Sequence, residues 1–275
     1  ARERDMAYEP VLRKKKVLIV GGGVAGCEAA RVLAIRGHEP VLYEKGSRLG
    51  GNLIPGGAPD FKEDDIALAD WYDHTLKELR VPVYLNHEVT RDEVLTGDFD
   101  AVILATGSVP KIFSLGDDEK VYTASQVLLK EKDCGQSTVI VGGGLVGCET
   151  ALWLREQGKK VTIVEALDKI LAVNGPLCHA NKDMLERLVP YKGIEVVTGA
   201  RVKSYEKGVL KAQTGEGEKE ISCDSVILAV GYKEEDSLYH ELEFEVPEIY
   251  LLGDAKKVSN IMYGIWDAFE VANHI

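Results

Sequence analysis

Residues 16–44 read KVLIVGGGVAGCEAARVLAIRGHEPVLYE, and residues 137–165 read STVIVGGGLVGCETALWLREQGKKVTIVE. Gly21, Gly23, Gly26, Ala30, Gly37 and Glu44 of the first stretch return as Gly142, Gly144, Gly147, Ala151, Gly158 and Glu165 of the second. Each pair is 121 positions apart, with no insertion or deletion between the marks. Six preserved spacings imply that the two stretches fold alike and do chemically similar work.

Each stretch predicts a βαβ unit. KVLIV is a short run dominated by β-branched residues, suited to a strand buried on both faces. CEAARVLAIR has helical spacing and stops at Gly37, and PVLYE reads as a second buried strand. The glycines then have separate jobs. Gly21 permits the tight turn out of the strand, Gly23 lets a pyrophosphate approach the backbone, and Gly26 with Ala30 lets the helix pack closely on the sheet. The helix N-terminus offers free N–H groups and the positive end of its dipole to the phosphates. Glu44, ending the second strand, is placed to accept hydrogen bonds from the ribose hydroxyls of an adenosine. A Gly-x-Gly-x-x-Gly alone is weak evidence. Here the strand before it, the helix after it and the terminal acid all agree.

Outside the repeats the chain continues the pattern. The glycine-rich loop RLGGNLIPGG follows the first copy, residues 62–79 read as a helix, and VPVYLN at 81–86 reads as a strand. DAVILATG (100–107) closes the first copy and DSVILAVG (224–231) closes the second, so the repeat covers whole domains. Residues 201–222 carry Gly-centred turns among short alternating runs, which predicts β-hairpins. IYLLGD ends in Asp254 and precedes a closing helix over 260–275 capped by Ser259 or Asn260.

The bulk numbers limit the partners. The chain has 275 residues, 45% of them hydrophobic, enough for one large or two ordinary domains with proper cores. Thirty-three Lys and Arg against 45 Asp and Glu give a net charge of −12, which argues against nucleic acid. The one basic run, Arg13 to Lys16, reads as a solvated lead-in to the first strand. No apolar run has the ~20 residues of a membrane helix, so no membrane is expected. A first residue of Ala rather than Met points to a piece of a longer chain, and the opening residues lack an apolar signal core. The five cysteines, Cys27, Cys134, Cys148, Cys178 and Cys223, form neither a Cys-x-x-Cys pair nor a metal spacing. Cys27 and Cys148 occupy one slot in the two repeats and read as small apolar fillers. A reduced, cytoplasmic protein is expected, with no metal site and no catalytic acid–base dyad. His87, His179 and His240 read as surface or packing residues, and Trp153 as core.

Two dinucleotide folds in series, closed by ILATG and ILAVG and followed by YLLGDA and a helix, resemble the two-dinucleotide-binding flavoproteins. The segments RKKKVLIVGGGVAGCEAARVLAIRGHEPVLYEKGSRLGGNL, PDFKEDDIALADWY, LNHEVT and IYLLGDAKKVSNIMYGIWDAFEVA look like the C-terminal part of NADH:flavin oxidoreductases of the old-yellow-enzyme type. That family includes 2,4-dienoyl-CoA reductase, 2-enoate reductase and trimethylamine dehydrogenase. The resemblance implies an α/β fold of two Rossmann-like domains, the second inserted in the first. FAD would belong to residues 16–115 with 240–275, the nicotinamide dinucleotide to 116–239, and residues 1–15 to a linker from a missing N-terminal barrel. The barrel would carry FMN and a 4Fe-4S cluster.

Carried onto matching positions, the resemblance implies that Gly21, Gly23, Val24, Ala25 and Gly26 hold the FAD pyrophosphate. Glu44 and Lys45 would meet the adenosine ribose, and the backbone of Val89 the adenine. Arg48, Gly51, Asn52 and Leu53 would line the flavin side of the loop, where relatives more often carry Gln in place of Asn52. Ala105, Thr106 and Gly107 would pass close to the cofactor, and Gly253 and Asp254 would meet the ribityl chain. In the second domain Gly142, Gly144, Leu145, Val146 and Gly147 would cradle the NADH pyrophosphate, with Gly231 beside the nicotinamide. Glu165 would sit at the adenosine 2′-hydroxyl, and residues 166 and 167 are Ala and Leu, with no Arg for a 2′-phosphate. NADH is therefore favoured over NADPH. The implied activity is entry of electrons from NADH to FAD and onward to the barrel, which would reduce an enoate or enoyl-CoA. An alternative is a non-catalytic half that binds ADP, as in amine dehydrogenases of the family. A thioredoxin-reductase-like activity would need the Cys-x-x-Cys that this chain lacks.

Overall fold

A computed structural model describes residues 7, 8, 10–116, 118–172 and 177–275. Of the expected linker over 1–15, residues 1–6 and 9 lie outside the described residues. The chain divides into two compact units. One comprises the chain through Ile54, Asp64–Val109 and Glu234–Ile275, and the other comprises Pro55–Glu63 and Pro110–Lys233.

In the first unit the strands run parallel in the order Ile249–Leu251, Ala101–Leu104, Lys16–Val20, Glu39–Tyr43, Val83–Tyr84. Lys16 is opposite Glu39 and Val17 opposite Ala101, so successive residues alternate between two covered faces. Val17, Ile19, Ala101 and Ile103 pack with the helix Val24–Arg36 and with Ala268, Phe269 and Ala272 of the helix Ile261–His274. Leu18, Val20, Val102 and Leu104 pack on the other face with Val89, Val94 and Leu242. This two-sided burial is why KVLIV and AVIL show no polar alternation. The first helix ends where Gly37 turns left-handed at φ 103°, donating its N–H to Leu33 and Ala34. The closing helix is capped by Asn260, whose side chain accepts from the Tyr263 N–H at 3.1 Å.

The second unit repeats the arrangement. Val121–Thr123, Ser225–Leu228, Ser137–Val141, Lys160–Val164 and Glu195–Val197 form a parallel sheet in that order. The expected hairpins are present as three antiparallel strands, Arg201–Glu206, Val209–Thr214 and Gly217–Ser222. Lys207 and Gly208 join the first two with φ of 50° and 78°, the two positive values a tight hairpin turn needs. The outer strand beside the ILAVG strand comes from residues 121–123, before the glycine strand. In the first unit the same place is filled from 249–251, near the end of the chain.

Several boundaries differ from the sequence expectations. The crossings fall at 109/110 and 233/234 rather than at 115/116 and 239/240. Leu115 already belongs to the second unit, where its carbonyl accepts the Tyr205 N–H at 2.7 Å and its side chain joins Val139, Val141 and Tyr205. Leu242 packs in the first unit, and Glu235 is tied there to Gly107 by a 3.0 Å backbone bond. Residues 55–63 pair with the second unit through Ala58, packed on its core, and Lys62, 3.4 Å from Glu149. The strand expected over 81–86 shrinks to Val83–Tyr84, because Pro82 has no N–H to pair and Asn86 turns to φ 55°. The helix expected over 62–79 is Glu63–Glu78, preceded by a tight turn over Asp60–Lys62. The basic run is not all solvated. Lys15 is half-buried with its Nζ 2.5 Å from Glu248, and the Lys16 N–H donates to Asp100 at 2.8 Å.

Candidate dinucleotide-binding sites

The first glycine loop is shaped by contacts within the protein. Gly21 has φ 106°, and a Cβ there would stand 2.3 Å from the Ala105 carbonyl oxygen. A Cβ on Gly26 would be 1.9 Å from the Gly21 carbonyl oxygen, so the helix lies against the strand turn with no room for a methyl group. Gly23 differs from both. Its backbone is ordinary extended chain at φ −73° and ψ −174°, and a Cβ on it would meet no atom of the described residues within 4 Å. Nothing among the described residues demands a glycine at 23. The open space lies at the first turn of the helix Val24–Arg36, which has no side-chain cap and no acid in its first turn. Uncapped N–H groups and the positive helix end suit such a space to an anion.

The second loop reproduces these features at the 121-residue offset. Gly142 has φ 107° with a Cβ position 2.5 Å from the Ala229 carbonyl oxygen, and Gly147 would place one 2.0 Å from the Gly142 carbonyl oxygen. Gly144, at φ −76° and ψ −171°, again faces open space, and its helix Leu145–Glu156 is likewise uncapped by any side chain. The two acids match too. Glu44 accepts from the Gly22 and Gly46 N–H groups, both at 2.6 Å. Glu165, 8% exposed, accepts from the Gly143 N–H at 2.6 Å and the Leu167 N–H at 2.8 Å. Backbone donors aim each carboxylate at its own glycine loop. Lone pairs remain on each oxygen for a ribose hydroxyl.

The cysteines of the repeats are packing groups. The Cys27 Sγ sits 3.2 Å from the Gly22 carbonyl and the Cys148 Sγ 3.5 Å from the Gly143 carbonyl, both fully buried. Burial, with neighbouring carboxylates, pushes the Cys148 thiol up to about 12 and the Cys27 thiol higher still. Neither supplies a thiolate near neutral pH. Trp153 is 9% exposed in the second core. His87 pairs with Glu93 at 2.8 Å, the exposed His240 with Asp236 and Glu243, and the exposed His179 opens a helix. Among the described residues no group of three or more His, Cys, Asp or Glu could hold a metal ion. None of their helices is long and apolar enough to cross a membrane.

Further elements of the first unit gather around its glycine loop. The Gly50 N–H donates to the Gly22 carbonyl at 2.8 Å, and a Cβ on Gly51 would lie 3.1 Å from the Gly23 Cα. The loop over 45–53 thus runs beside the open space at Gly23. Leu53 is buried behind it, Lys45 is exposed, and Arg48 is turned to Asp70 at 2.8 Å. Asn86 and His87 donate backbone N–H groups to the Gly46 and Glu44 carbonyls at 2.9 and 3.0 Å, which brings buried Val89 towards the same acid. The Thr106 hydroxyl donates to the Glu235 carbonyl, and Gly107, at φ 78°, borders open space. Gly253, at φ 58°, lies against Ala25 of the first helical turn, so Asp254 arrives beside the glycine loop. In the second unit Leu145 and Val146 form the half-buried first turn, and Gly231, at φ 93°, borders open space.

Two residues escaped the sequence reading. Ser108 donates its hydroxyl to Asp254 at 2.9 Å, and Asp267 accepts from the Gly253 N–H at 2.9 Å while pairing with Lys256 at 2.8 Å. Neither stands in a glycine motif, and their partners are distant in sequence or hidden by the turn at 253–255.

Comparison with known proteins agrees with this geometry. The family model described as pyridine nucleotide-disulphide oxidoreductase matches residues 15–268, and the chain belongs to that family. It is 50% identical to a cinnamate reductase of Clostridium sporogenes over 275 residues, covering 100% of this chain and 41% of that protein. It is 36% identical to an NADH oxidase of Thermoanaerobacter brockii over 267 residues, covering 94% of this chain and 41% of the relative. The solved complex of 2-naphthoyl-CoA reductase with 2-naphthoyl-CoA superposes with a TM-score of 0.91 at 27% identity, over 98% of this chain and 41% of that one. The chain therefore spans about two fifths of the length of these relatives. The resemblance read from the sequence holds. The protein is an oxidoreductase chain of the two-dinucleotide-binding flavoprotein type, built for FAD and a nicotinamide dinucleotide.

Proposed function

We propose that the first unit holds FAD, the second holds NADH, and the chain is the electron-entry part of a longer enoate- or enoyl-CoA-reducing enzyme. The observation that supports the assignment is an asymmetry between the two copies. Both have the open glycine, the uncapped helix and the backbone-held acid. Among the described residues, only the first has a hydrogen-bonded set like Asn52, Ser108 and Asp254 beside its loop. A dinucleotide with a long hydroxylated chain between its phosphates and its ring system has use for those extra polar groups.

In this reading Gly21, Gly23, Val24, Ala25 and Gly26 take the FAD pyrophosphate, Glu44 with Lys45 the ribose, and Val89 the adenine. Arg48, Gly51, Asn52 and Leu53, Ala105 to Gly107, and Gly253 with Asp254 surround the rest of the molecule. Gly142, Gly144, Leu145, Val146 and Gly147 take the NADH pyrophosphate, Glu165 the ribose, and Gly231 the nicotinamide end. FAD, when bound, supplies the two-electron acceptor for the hydride of NADH and releases electrons onward. The protein contributes binding and orientation, with no acid–base pair required. An N-terminal barrel carrying FMN and a 4Fe-4S cluster would receive the electrons, in the reducing interior of a cytoplasm. The cinnamate reductase relative supports an enoate as final acceptor.

The deciding experiment is a cofactor analysis followed by titration with NADH. FAD is expected as the released chromophore, since FMN lacks the adenosine that Glu44 is placed to hold. NADH is expected to bleach it, with no turnover of an enoate by this chain alone. Recovery of ADP without flavin would replace this reading with the non-catalytic one.

Coenzyme choice is tested at Glu165. A 2′-phosphate would meet its buried carboxylate. Glu165→Ala is expected to weaken discrimination against NADPH by about 1–3 kcal/mol, the scale of one charged hydrogen bond. Measured as the ratio of NADH to NADPH affinity, an unchanged preference would mean that this carboxylate does not face the ribose.

A further inference from the structure

Three residues far apart in sequence form one directed chain in the first unit. The Ser108 hydroxyl lies 2.9 Å from the Asp254 Oδ2, and the Asn52 Nδ2 lies 3.3 Å from the Ser108 Oγ and 3.5 Å from the Ser108 carbonyl oxygen. The remaining Asp254 oxygen, Oδ1, accepts from the Ser259 N–H at 2.9 Å. An ionised carboxylate can only accept, so the Ser108 proton must point to Asp254. The serine oxygen then faces Asn52 with a lone pair. The Ser108 carbonyl, also an acceptor, faces Asn52 as well, so the asparagine must present its NH₂ to both. Its carbonyl oxygen is thereby turned away from Ser108. Every link in the chain has only one consistent direction.

The consequence is a set of acceptors fixed by one hydroxyl. We infer that Ser108 is a positioning residue for the flavin part of the dinucleotide: through its hydroxyl it holds the Asp254 carboxylate and the Asn52 carbonyl as paired acceptors for the hydroxyl and N–H donors of that part. This rests on the assignment of FAD to the first unit. Ser108 stands at the start of the strand Ser108–Pro110, directly after Gly107, whose φ of 78° and open border leave room for a ligand. It joins the loop after the first βαβ unit to the turn after the last strand. Without the hydroxyl, Asp254 keeps the Ser259 N–H among the described residues, and the Asn52 amide is left with the longer 3.5 Å bond to the Ser108 carbonyl, which holds its orientation less firmly.

The prediction separates the flavin end from the nucleotide end. In Ser108→Ala the affinity for FAD is expected to fall about 10-fold, the loss of one charge-assisted hydrogen bond. The affinity for ADP, held by the glycine loop and Glu44, is expected to stay within about 2-fold. Ser108→Thr keeps the hydroxyl and is expected to restore FAD binding. Both ligands are titrated into apoprotein by calorimetry, with a melting curve for each variant. Equal FAD binding by the wild type and Ser108→Ala overturns the positioning role, and so does a parallel loss of FAD and ADP, which would mark a general structural defect. Failure of Ser108→Thr to rescue, with its melting temperature preserved, also overturns it. A wild-type chain that binds ADP but no FAD removes the function proposed above, a result distinct from all of these.

Discussion

Gly144→Val is expected to abolish reduction of the flavin by NADH while leaving the flavin content of the protein unchanged. The protein itself tolerates the change. Gly144 has the extended backbone of φ −76° and ψ −171° that any residue adopts, and a Cβ there meets no atom of the described residues within 4 Å. Loss of glycine at an N-cap costs about 1 kcal/mol or less, well inside the stability of a folded domain. The cost falls on the ligand. A branched side chain occupies the space where a pyrophosphate must approach the helix N-terminus. The charge-assisted hydrogen bonds of two phosphates, each contributing about 1.5–3 kcal/mol, are then lost. NADH affinity is expected to fall by about 100-fold or more, each factor of ten being about 1.4 kcal/mol. The check is a stopped-flow or anaerobic titration of flavin bleaching beside a measurement of flavin per chain. A variant that lost its flavin and kept its NADH affinity would show that the two copies are assigned the wrong way round.

Gly26→Ala is expected to have the opposite character: a folding defect rather than a binding defect. The added methyl carbon would stand 1.9 Å from the Gly21 carbonyl oxygen and 3.3 Å from the Ala105 Cβ. The contact is with backbone, which cannot rotate away, so the helix Val24–Arg36 must lift from the sheet. That movement separates Cys27, Ala29, Ala30 and Leu33 from Val17, Ile19 and Ile103, all buried in one cluster. Overpacking against fixed backbone costs about 3 kcal/mol, the upper end of the usual range. At about 2–4 °C per kcal/mol for a unit of this size, the melting temperature should fall by about 6–12 °C. Gly23→Ala, three residues earlier, is the paired control. It should melt within about 4 °C of the wild type, since loss of an N-cap glycine costs about 1 kcal/mol or less, yet lose FAD. Equal melting temperatures for Gly26→Ala and the wild type would refute the close packing.

The glycine loops are readable in the sequence because their constraints are local. A glycine with positive φ, a glycine under a carbonyl and an acid at a strand end are set by neighbours within about 30 residues, the size of one βαβ unit. The repeat made that reading secure, since the same marks appear twice at one offset. Gly23 and Gly26 nevertheless look alike as letters. Only the backbone around them shows that one faces open space and the other faces an atom 1.9 Å away.

The domain boundaries were less legible because packing, not composition, decides them. Nothing in the letters of 55–63 or 110–115 assigns them to the second unit, and it takes Ala58, Lys62 and Leu115 in place to do so. The short edge strand Val83–Tyr84 was overestimated for a similar reason. Its apolar letters suit a longer strand, but Pro82 and the left-handed Asn86 limit the pairing.

By itself, then, the sequence determined two βαβ glycine loops, the acids Glu44 and Glu165 that close them, and the apolar strands that must be covered on both faces. Those features follow from local sterics and from hydrophobic periodicity, which act along the chain. The tertiary structure alone decided which strand completes each sheet, supplied from 249–251 in one unit and from 121–123 in the other. It alone brought Ser108 to Asp254 across 146 positions and Asn52 to Ser108 across 56. Hydrogen bonds of that kind leave no periodic trace, because a serine that holds a carboxylate is the same letter as a serine that faces water.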